Sequence, residues 1–424
     1  MTYEETIQHI FALGRFGIKP GLERISAILA GLGNPQKSLR VIHVAGTNGK
    51  GSTASFLASV LRAGGYRTGL FTSPHLTSFT ERFRINGVEI SEEQVVSLTA
   101  RVRAAAPPEA TFFEIVTAIA FLWFADESVD LAVMEVGMGG RFDATNVADG
   151  ILSLITPVAL DHCEYLGNTL AEIAGEKSGV MRPGCPVVLA SQPDEALARL
   201  ETRAVEIGSP CYRFGRDFQA VWEDGGLAYV GLGIGLSGLR PGIGGRYQAV
   251  NAACALAAAE LISAGGVPLA QGALHQGVTD AFWPGRMELF PGPPRLLLDG
   301  AHNPAGSLAL AEELRFISRD KLILVVGVMG DKDLDGILEP LLACADQVVA
   351  VSPGLDRALP SERLVDYFRE KGVRAVDAGE VAAGVRMAFE QAGRNDLIVV
   401  CGSLFTVAEA RAARLGRSCE LIRG

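Results

Sequence analysis

The run Val41–Thr53 constrains this chain more than any other. A strand-like Val41-Ile42-His43-Val44 breaks into Ala45-Gly46-Thr47-Asn48-Gly49-Lys50-Gly51-Ser52-Thr53, and a helical pattern over Ala54–Arg62 follows at once. A strand that turns through glycines into a helix start gathers backbone N–H groups and the positive end of a helix dipole around one small volume, which suits phosphate. Lys50 can reach terminal phosphates, and the Ser52 hydroxyl can ligate a magnesium ion beside them. The usual phosphate loop places Ser or Thr directly after its Lys; here Gly51 intervenes.

The neighbouring sequence supplies a sheet. Residues 2–31 read as two helices around a Gly14–Gly21 turn, with Ile7, Ile10 and Phe11, then Leu22, Ile25, Ile28 and Leu29, spaced as packed faces. Strands are predicted at Thr68–Thr72, Leu131–Val136 and Ile151–Thr156. They lead into Ser73-Pro74-His75-Leu76, into Gly137–Asn146 just after Glu135, and into Asp161-His162. Parallel strands present ligands at their carboxyl ends, so Ser73, His75, Glu135 and His162 should share a rim with the phosphate loop. Glu135 is there either a magnesium ligand or an acid satisfied by backbone. Phe83–Ile90 alternates around Asn86-Gly87 as a tight hairpin, which leaves Ser73–Arg82 as a mobile rim loop or an ordinary connector. Ser91 with Glu93 and Gln94 starts a helix, and Phe112–Ala125 is apolar enough to lie buried against the sheet. Its Glu114 either complements the helix dipole or faces a ligand. A helix from Thr169 reaches Lys177, which from its spacing alone is a solvated lysine.

Residues 212–246 have irregular glycine-rich strand character, and Tyr247–Ile262 is a small-residue helix carrying Asn251. The pattern breaks at Phe282-Trp283-Pro284-Gly285-Arg286 and again at Pro291-Gly292-Pro293-Pro294. Since 424 residues exceed what one core usually organises, a boundary is placed there. Beyond it, strands at Arg295–Leu298, Leu322–Val328, Val348–Val351, Ala375–Val376 and Leu397–Cys401 alternate with helices, as in a doubly wound parallel sheet. The first ends in Asp299-Gly300-Ala301-His302-Asn303-Pro304, without the glycine fingerprint of a nicotinamide site. The expected class is α/β: an N-terminal P-loop-type parallel-sheet ATPase domain over 1–284, and a smaller C-terminal Rossmann-like doubly wound domain over 285–424.

A formal net charge of −10 and the lack of any Lys/Arg run argue against nucleic acid or an anionic membrane as partner. Apolar runs such as Leu322–Met329 are too short to span a bilayer, and Met1-Thr2-Tyr3-Glu4-Glu5 is no cationic leader. Seven cysteines without a Cys-x-x-Cys fit reduced thiols. A cytoplasmic monomer acting on small molecules is expected.

Several stretches, in this order, resemble one family. They are His43–Ser52, Ser73–Leu76, Phe112-Phe113-Glu114, Glu135–Asn146, Asp161-His162 with Tyr165-Leu166-Gly167, Gly175-Glu176-Lys177, Asp299–Pro304 and Cys401-Gly402-Ser403. Together they are similar to the folate branch of the Mur ligases, the folylpolyglutamate and dihydrofolate synthases, over nearly the whole chain, and the Lys50–Ser52 spacing is that family's own. The resemblance implies an ATP-dependent ligase in which a folate-type carboxylate is phosphorylated to an acyl phosphate and the amine of L-glutamate attacks it. Dihydropteroate and tetrahydrofolates would be the acceptors.

Carried over by position, Thr47, Asn48, Gly49, Lys50, Gly51 and Ser52 would hold the nucleotide phosphates, with Asn251, Arg286 and Asp299 as further ATP contacts. Ser52, Ser73, Glu135 and His162 resemble magnesium ligands. Lys177 resembles a lysine carboxylated in the family, which as a carbamate would help hold a second magnesium. Lys50, Lys177 and His302 would serve the chemistry, the role of His302 lying between phosphate contact and glutamate orientation. Phe113 and Asp143, with Glu114, Phe142 and Ala144 beside them, match the dihydropteroate-binding positions of the bifunctional bacterial enzymes. Met138 and Phe142 stand where leucine is common and Cys163 where threonine is, so the packing of the pterin pocket is expected to differ.

Phe113 and Asp143 together favour dual activity over a single-activity folylpolyglutamate or dihydrofolate synthase, and two readings outside the family compete. A peptidoglycan-type Mur ligase would share the ATP machinery, yet such enzymes usually carry an extra N-terminal domain, and here the loop follows only about forty residues. A non-catalytic nucleotide switch would not need Glu135, His162 and Asp299 at the other strand ends.

Overall fold

A computed structural model describes residues 1–17 and 19–420; Ile18, inside the Gly14–Gly21 turn, and residues 421–424 of the expected second domain lie outside the described residues. Among the described residues, the first sheet contains β1 (Val41–Ala45), β2 (Thr68–Phe71), β3 (Phe83–Ile85), β4 (Val88–Glu89), β5 (Leu131–Glu135), β6 (Gly150–Ile155), β7 (Val187–Leu189) and β8 (Cys211–Arg213). They are ordered β4-β3-β2-β5-β1-β6-β7-β8. From β2 to β8 neighbouring strands run parallel, whereas β3 and β4 form an antiparallel hairpin at the edge.

Successive residues of β1 face opposite layers, as the period of two requires. Ile42 and Val44 pack with Phe56, Leu57 and the small-residue helix Gln248–Ala264, while Val41 packs with the helices Tyr3–Ala12, Glu23–Gly31 and Phe112–Asp126. Covering on both faces is what a parallel sheet needs. It also explains why Phe112–Asp126 is apolar nearly all round: most of its side chains are buried. The glycine-rich stretch after β8 forms a three-stranded antiparallel sheet of β9 (Gln219–Glu223), β10 (Gly226–Val230) and β11 (Gly235–Leu239).

The second large sheet holds β12 (Glu288–Phe290), β13 (Arg295–Leu298), β14 (Leu322–Val326), β15 (Gln347–Ser352), β16 (Ala375–Glu380) and β17 (Leu397–Cys401), in the order β12-β13-β17-β14-β15-β16. β12 pairs antiparallel at its edge, so this sheet is mixed rather than wholly parallel; so short a strand carries too little alternation to be read from sequence. The equally short β7 widens the first sheet without a sequence signal, whereas β8 opens the 212–246 stretch read as irregular strand.

Two local expectations change. The helix after the phosphate loop begins at Lys50 rather than Ala54. The Ser73–Arg82 segment is a packed element and not a loose rim. The Glu81 carboxylate accepts from the backbone N–H groups of Leu76 (2.8 Å), Thr77 (3.1 Å) and Ser78 (3.2 Å), and the segment ends in a 3₁₀ turn. Among the described residues no helix is long and apolar enough to cross a membrane, and all seven cysteines are free thiols.

Candidate active site

The sheet order decides the site. β2, β5, β1 and β6 are consecutive neighbours, so the segments leaving their carboxyl ends converge, and all four line one cavity of about 440 Å³. The opposite wall comes from Arg286, from Asp299–Asn303 after β13 and from Leu404 after β17. The phosphate loop, Ser73, Glu135, His162, Lys177, Asn251, Arg286, Asp299 and His302 all line this one space.

Within the loop, the N–H groups of Thr47 and Asn48 donate to the Pro157 carbonyl at 3.0 and 3.2 Å. The helix supplies the open donors instead. Its first internal bond runs from Thr53 N–H to Gly49 O at 2.9 Å, and helix geometry leaves the N–H groups of Lys50, Gly51 and Ser52 without intrahelical acceptors. Lys50 Nζ folds back onto Thr47 O at 3.2 Å. The glycines have steric reasons. Gly49 holds φ +88°, and a Cβ there would lie 2.5 Å from Asn251 Oδ1. A Cβ on Gly51 would lie 2.9 Å from the Trp283 indole, so the residue that separates Lys50 from Ser52 is the one over which that ring packs. Asn251 Nδ2 donates to Gln248 Oε1 (2.7 Å), and Gln248 Nε2 donates to Ser52 Oγ (3.4 Å). These amides thus steady the loop from a helix two hundred residues away.

Glu135, at the end of β5, is buried, and one carboxylate oxygen accepts from Ser73 N–H at 3.1 Å. Burial pushes its pKa up to about 6 against the pull of Lys50, the Ser73 N–H and Arg286. A hard cation would reverse that penalty, and the cavity that Glu135 lines is also lined by Ser52, Ser73 and His162, oxygen and nitrogen donors of the kinds that magnesium or manganese takes. His162 sits in the left-handed region, φ +52°, and burial together with Lys332, Lys50 and Lys177 lowers its pKa despite Asp161. Lys177 is buried, not solvated; its Nζ donates to Gly46 O at 2.8 Å. Burial, then Lys50, lowers its pKa to about 7.

Across the cleft, Asp299 accepts from Met287 N–H and Ala301 N–H, both at 2.9 Å, and from the Tyr247 hydroxyl at 3.2 Å; burial raises its pKa against Arg286. His302 Nδ1 meets Gly300 O at 2.8 Å, and burial followed by Arg286 lowers its pKa to about 4, so its ring is neutral at neutral pH. Contacts that sequence reasoning did not single out bridge the two walls. Asn303 Nδ2 donates to Asn48 Oδ1 (2.9 Å), and Lys332 pairs with Asp161 at 3.5 Å. Lys332 follows the end of β14, so the strand-end rule could have found it; Asn303 lies in the strand-end motif Asp299–Pro304 and Trp283 in the Phe282–Arg286 break, but neither position indicated which residue it would touch.

The expected folate residues do not line the cavity. The Phe113 ring packs against the cavity residue Gly137, where an added Cβ would meet it at 2.5 Å. The Glu114 carboxylate pairs with Arg24 (2.9 Å) and accepts from Thr111 N–H (2.8 Å) at its own helix start. Asp143 accepts from Met138 and Thr145 N–H, both at 3.0 Å, inside its loop; Ala144 is buried and Phe142 is 52% exposed.

A phosphate loop on a parallel sheet, facing the strand ends of a second α/β sheet across one cleft, defines a class of two-domain nucleotide-dependent ligases. The Mur ligase middle-domain model matches residues 44–259, and that of the Mur ligase glutamate ligase domain matches 285–404. The dihydrofolate synthase/folylpolyglutamate synthase of Bacillus subtilis is 34% identical over 96% of this chain and 98% of its own length. The structure of Escherichia coli FolC in complex with DHPP and ADP superposes with a TM-score of 0.91 at 31% identity, covering 98% of both chains. A bifunctional folylpolyglutamate synthase/dihydrofolate synthase from Yersinia pestis, complexed with AMPPNP and Mn ion, gives 0.89 at 33% identity, again over 98% of both. A Halobacterium salinarum relative, a probable bifunctional folylpolyglutamate synthase/dihydropteroate synthase, is 38% identical over 97% of this chain, which spans only 51% of its length. The chain belongs to the folylpolyglutamate synthase/dihydrofolate synthase family of Mur ligases.

Proposed function

We propose that this chain joins L-glutamate to folate-type carboxylates at the expense of ATP, accepting both dihydropteroate and tetrahydrofolates. The observation that carries the reading is the single cavity in which the phosphate-loop helix start, Glu135 and Lys177 face Arg286, Asp299 and His302. We take the chain as an N-terminal nucleotide-binding domain up to 284 and a ligase domain from 285, acting as a cytoplasmic monomer.

In this reading the N–H groups of Lys50, Gly51 and Ser52 and the Lys50 ammonium hold the β- and γ-phosphates, with Thr47, Asn48, Gly49 and Asn251 shaping the cradle and Asp299 contacting the nucleotide. Arg286 approaches from the other wall. Phosphoryl transfer spreads negative charge over oxygens that these cations neutralise without rearranging. Ser52, Ser73, Glu135 and His162 would hold magnesium, which would add further positive charge there.

The neutral Lys177 amine can add its lone pair to the carbon of carbon dioxide and release a proton, giving a carbamate anion that would help hold a second cation. Its lowered pKa supports this, because only the unprotonated amine reacts. The substrate carboxylate attacks the γ-phosphorus, ADP leaves, and the glutamate amine displaces phosphate from the acyl carbon. His302, neutral and beside Arg286, is available to orient the incoming glutamate. The Asn48–Asn303 and Asp161–Lys332 contacts tie the two walls together, and closing the cleft further over bound substrates would keep water from the acyl phosphate. Phe113, packed behind the cavity residue Gly137, is the residue we assign to the pterin ring, with Asp143, Ala144 and Phe142 in the loop beside it. Glu114 we assign to holding Arg24.

The test is ADP formation with ATP, magnesium and L-glutamate, with 7,8-dihydropteroate or tetrahydrofolate as acceptor. Turnover with both supports the dual activity, and turnover with one narrows it. No stimulation by either would refute the folate reading and bring a muramyl acceptor forward.

A further inference from the structure

Beyond the last helix, Leu404–Leu415, the chain turns at Gly416 with φ +63° and crosses back onto the first domain. There Glu420 is bound at three levels. Its backbone N–H donates to Thr77 O at 2.8 Å, and its carbonyl oxygen pairs with His75 Nε2 at 2.6 Å. A single carboxylate oxygen, Oε2, accepts from Phe79 N–H (2.7 Å), the Tyr3 hydroxyl (3.2 Å) and the Ser78 hydroxyl (3.3 Å).

The segment so gripped is Ser73–Arg82, which contributes Ser73, Pro74, His75, Leu76 and Glu81 to the cavity. It is anchored to the second domain at another point. Leu76 is buried in the apolar cluster of Leu298, Val400 and Val407, with Cys419 packed beside it. One face of the segment therefore rests in the second domain's core, the other is tied through Glu420 to the first helix, and its start hydrogen-bonds Glu135. Moving Glu420 would loosen the distance between Ser73 and His75 on one wall and Arg286 and His302 on the other.

We propose that Glu420 is a positioning residue for ligation: its carboxylate fixes the Ser73–Arg82 segment against the second domain, so that acceptor and amine meet in reacting geometry. This rests on the ligase reading above. The phosphate cradle is built on a different strand end, so Glu420 acts on the ligation step and not on the binding of metal-free ADP; Ser73, assigned above to magnesium, lies at the start of the gripped segment, and metal is therefore left out of the binding measurement.

The test compares the full chain with Glu420→Ala and Glu420→Gln by four measurements: kcat and KM for tetrahydrofolate and glutamate, affinity for ADP without magnesium by calorimetry, thermal midpoint, and hydrogen–deuterium exchange of residues 73–82. Because misplacement by about 1 Å can cost on the order of a hundredfold in rate, Glu420→Ala is expected to lower kcat about ten- to hundredfold. Affinity for metal-free ADP should hold, and faster exchange should be confined to 73–82. Glu420→Gln should recover most of the rate, since an amide oxygen accepts from the same three donors. Wild-type kcat and exchange in Glu420→Ala would overturn the proposal, as would a loss shared equally by both variants and matched by weaker binding of metal-free ADP. A wild-type chain that ligates no folate acceptor would bring down the ligase reading itself, a distinguishable result.

Discussion

Gly49 is the position where the phosphate loop can be tested most sharply. Its φ of +88° is one that an L-residue adopts only at a cost of about 1–2 kcal/mol. Alanine there adds a second cost: the new Cβ would lie 2.5 Å from Asn251 Oδ1, and Asn251 is buried. Turning Asn251 aside breaks its 2.7 Å bond to Gln248, worth about 1 kcal/mol net. Gly49→Ala should then cost about 2–3 kcal/mol in any state that requires the native loop, the sum of these two effects. If the empty loop relaxes, the whole cost falls on nucleotide binding, a weakening of about 30- to 150-fold. If it does not relax, the cost appears as lost stability. Gly208→Ala is the control, because Gly208 has φ +65° and nothing within 4 Å of an added Cβ; it carries the backbone strain alone and lies outside the cavity lining. MgADP titration calorimetry and thermal melts of both variants separate the terms. The reasoning fails if Gly49→Ala binds MgADP like the wild type and melts no lower than Gly208→Ala.

Other expectations follow from the same geometry. Asn303 caps the helix Pro304–Leu314 through Gly306 N–H (2.9 Å) and also donates to Asn48. Asn303→Asp keeps the cap and loses the donor, so it should lower turnover with little change in melting, whereas Asn303→Ala should also cost about 1 kcal/mol of stability. Lys177→Ala should lower turnover more than nucleotide affinity, with partial rescue by short carboxylates such as acetate; an undiminished rate would remove the carbamate role. Burial holds His43 at about 4, His75 at about 3 and His302 at about 4, all below the ordinary histidine value. The unfolded chain therefore binds protons first as pH falls, and the stability present above about pH 6.5 is lost progressively toward pH 4. Glu135, raised to about 6, acts in the opposite direction over pH 6 to 4.5. His302→Gln should flatten the fall of the melting midpoint between pH 7 and pH 5, and an unchanged slope would contradict the assigned burial effect.

Much of the site was legible because parallel sheets obey a local rule. A polar residue just past the carboxyl end of an apolar strand marks the rim, and Ser73, Glu135, His162 and Asp299 all stand at such points and all line the cavity. Residues with equally good local patterns turned elsewhere. Glu114 binds Arg24, and Asp143 closes on Met138 and Thr145 within its own loop. A carboxylate's spacing says that it must be satisfied but not by which partner. Lys177 illustrates the reverse: among small residues it looked solvated, and it is buried against Gly46 O.

The sequence by itself determined the strand–glycine loop–helix cradle, the alternation that makes two α/β domains, and the family resemblance, because each is written in residues within a few positions of one another. The tertiary structure decided which chain segments press on that cradle. Trp283 lies over Gly51, Asn251 against Gly49, Asn303 on Asn48, and Glu420 on the segment after β2. These contacts join residues 200 or more positions apart, and no local periodicity encodes them. They exist only once the sheet order has set the strand ends side by side and folding has brought the two domains' cores together.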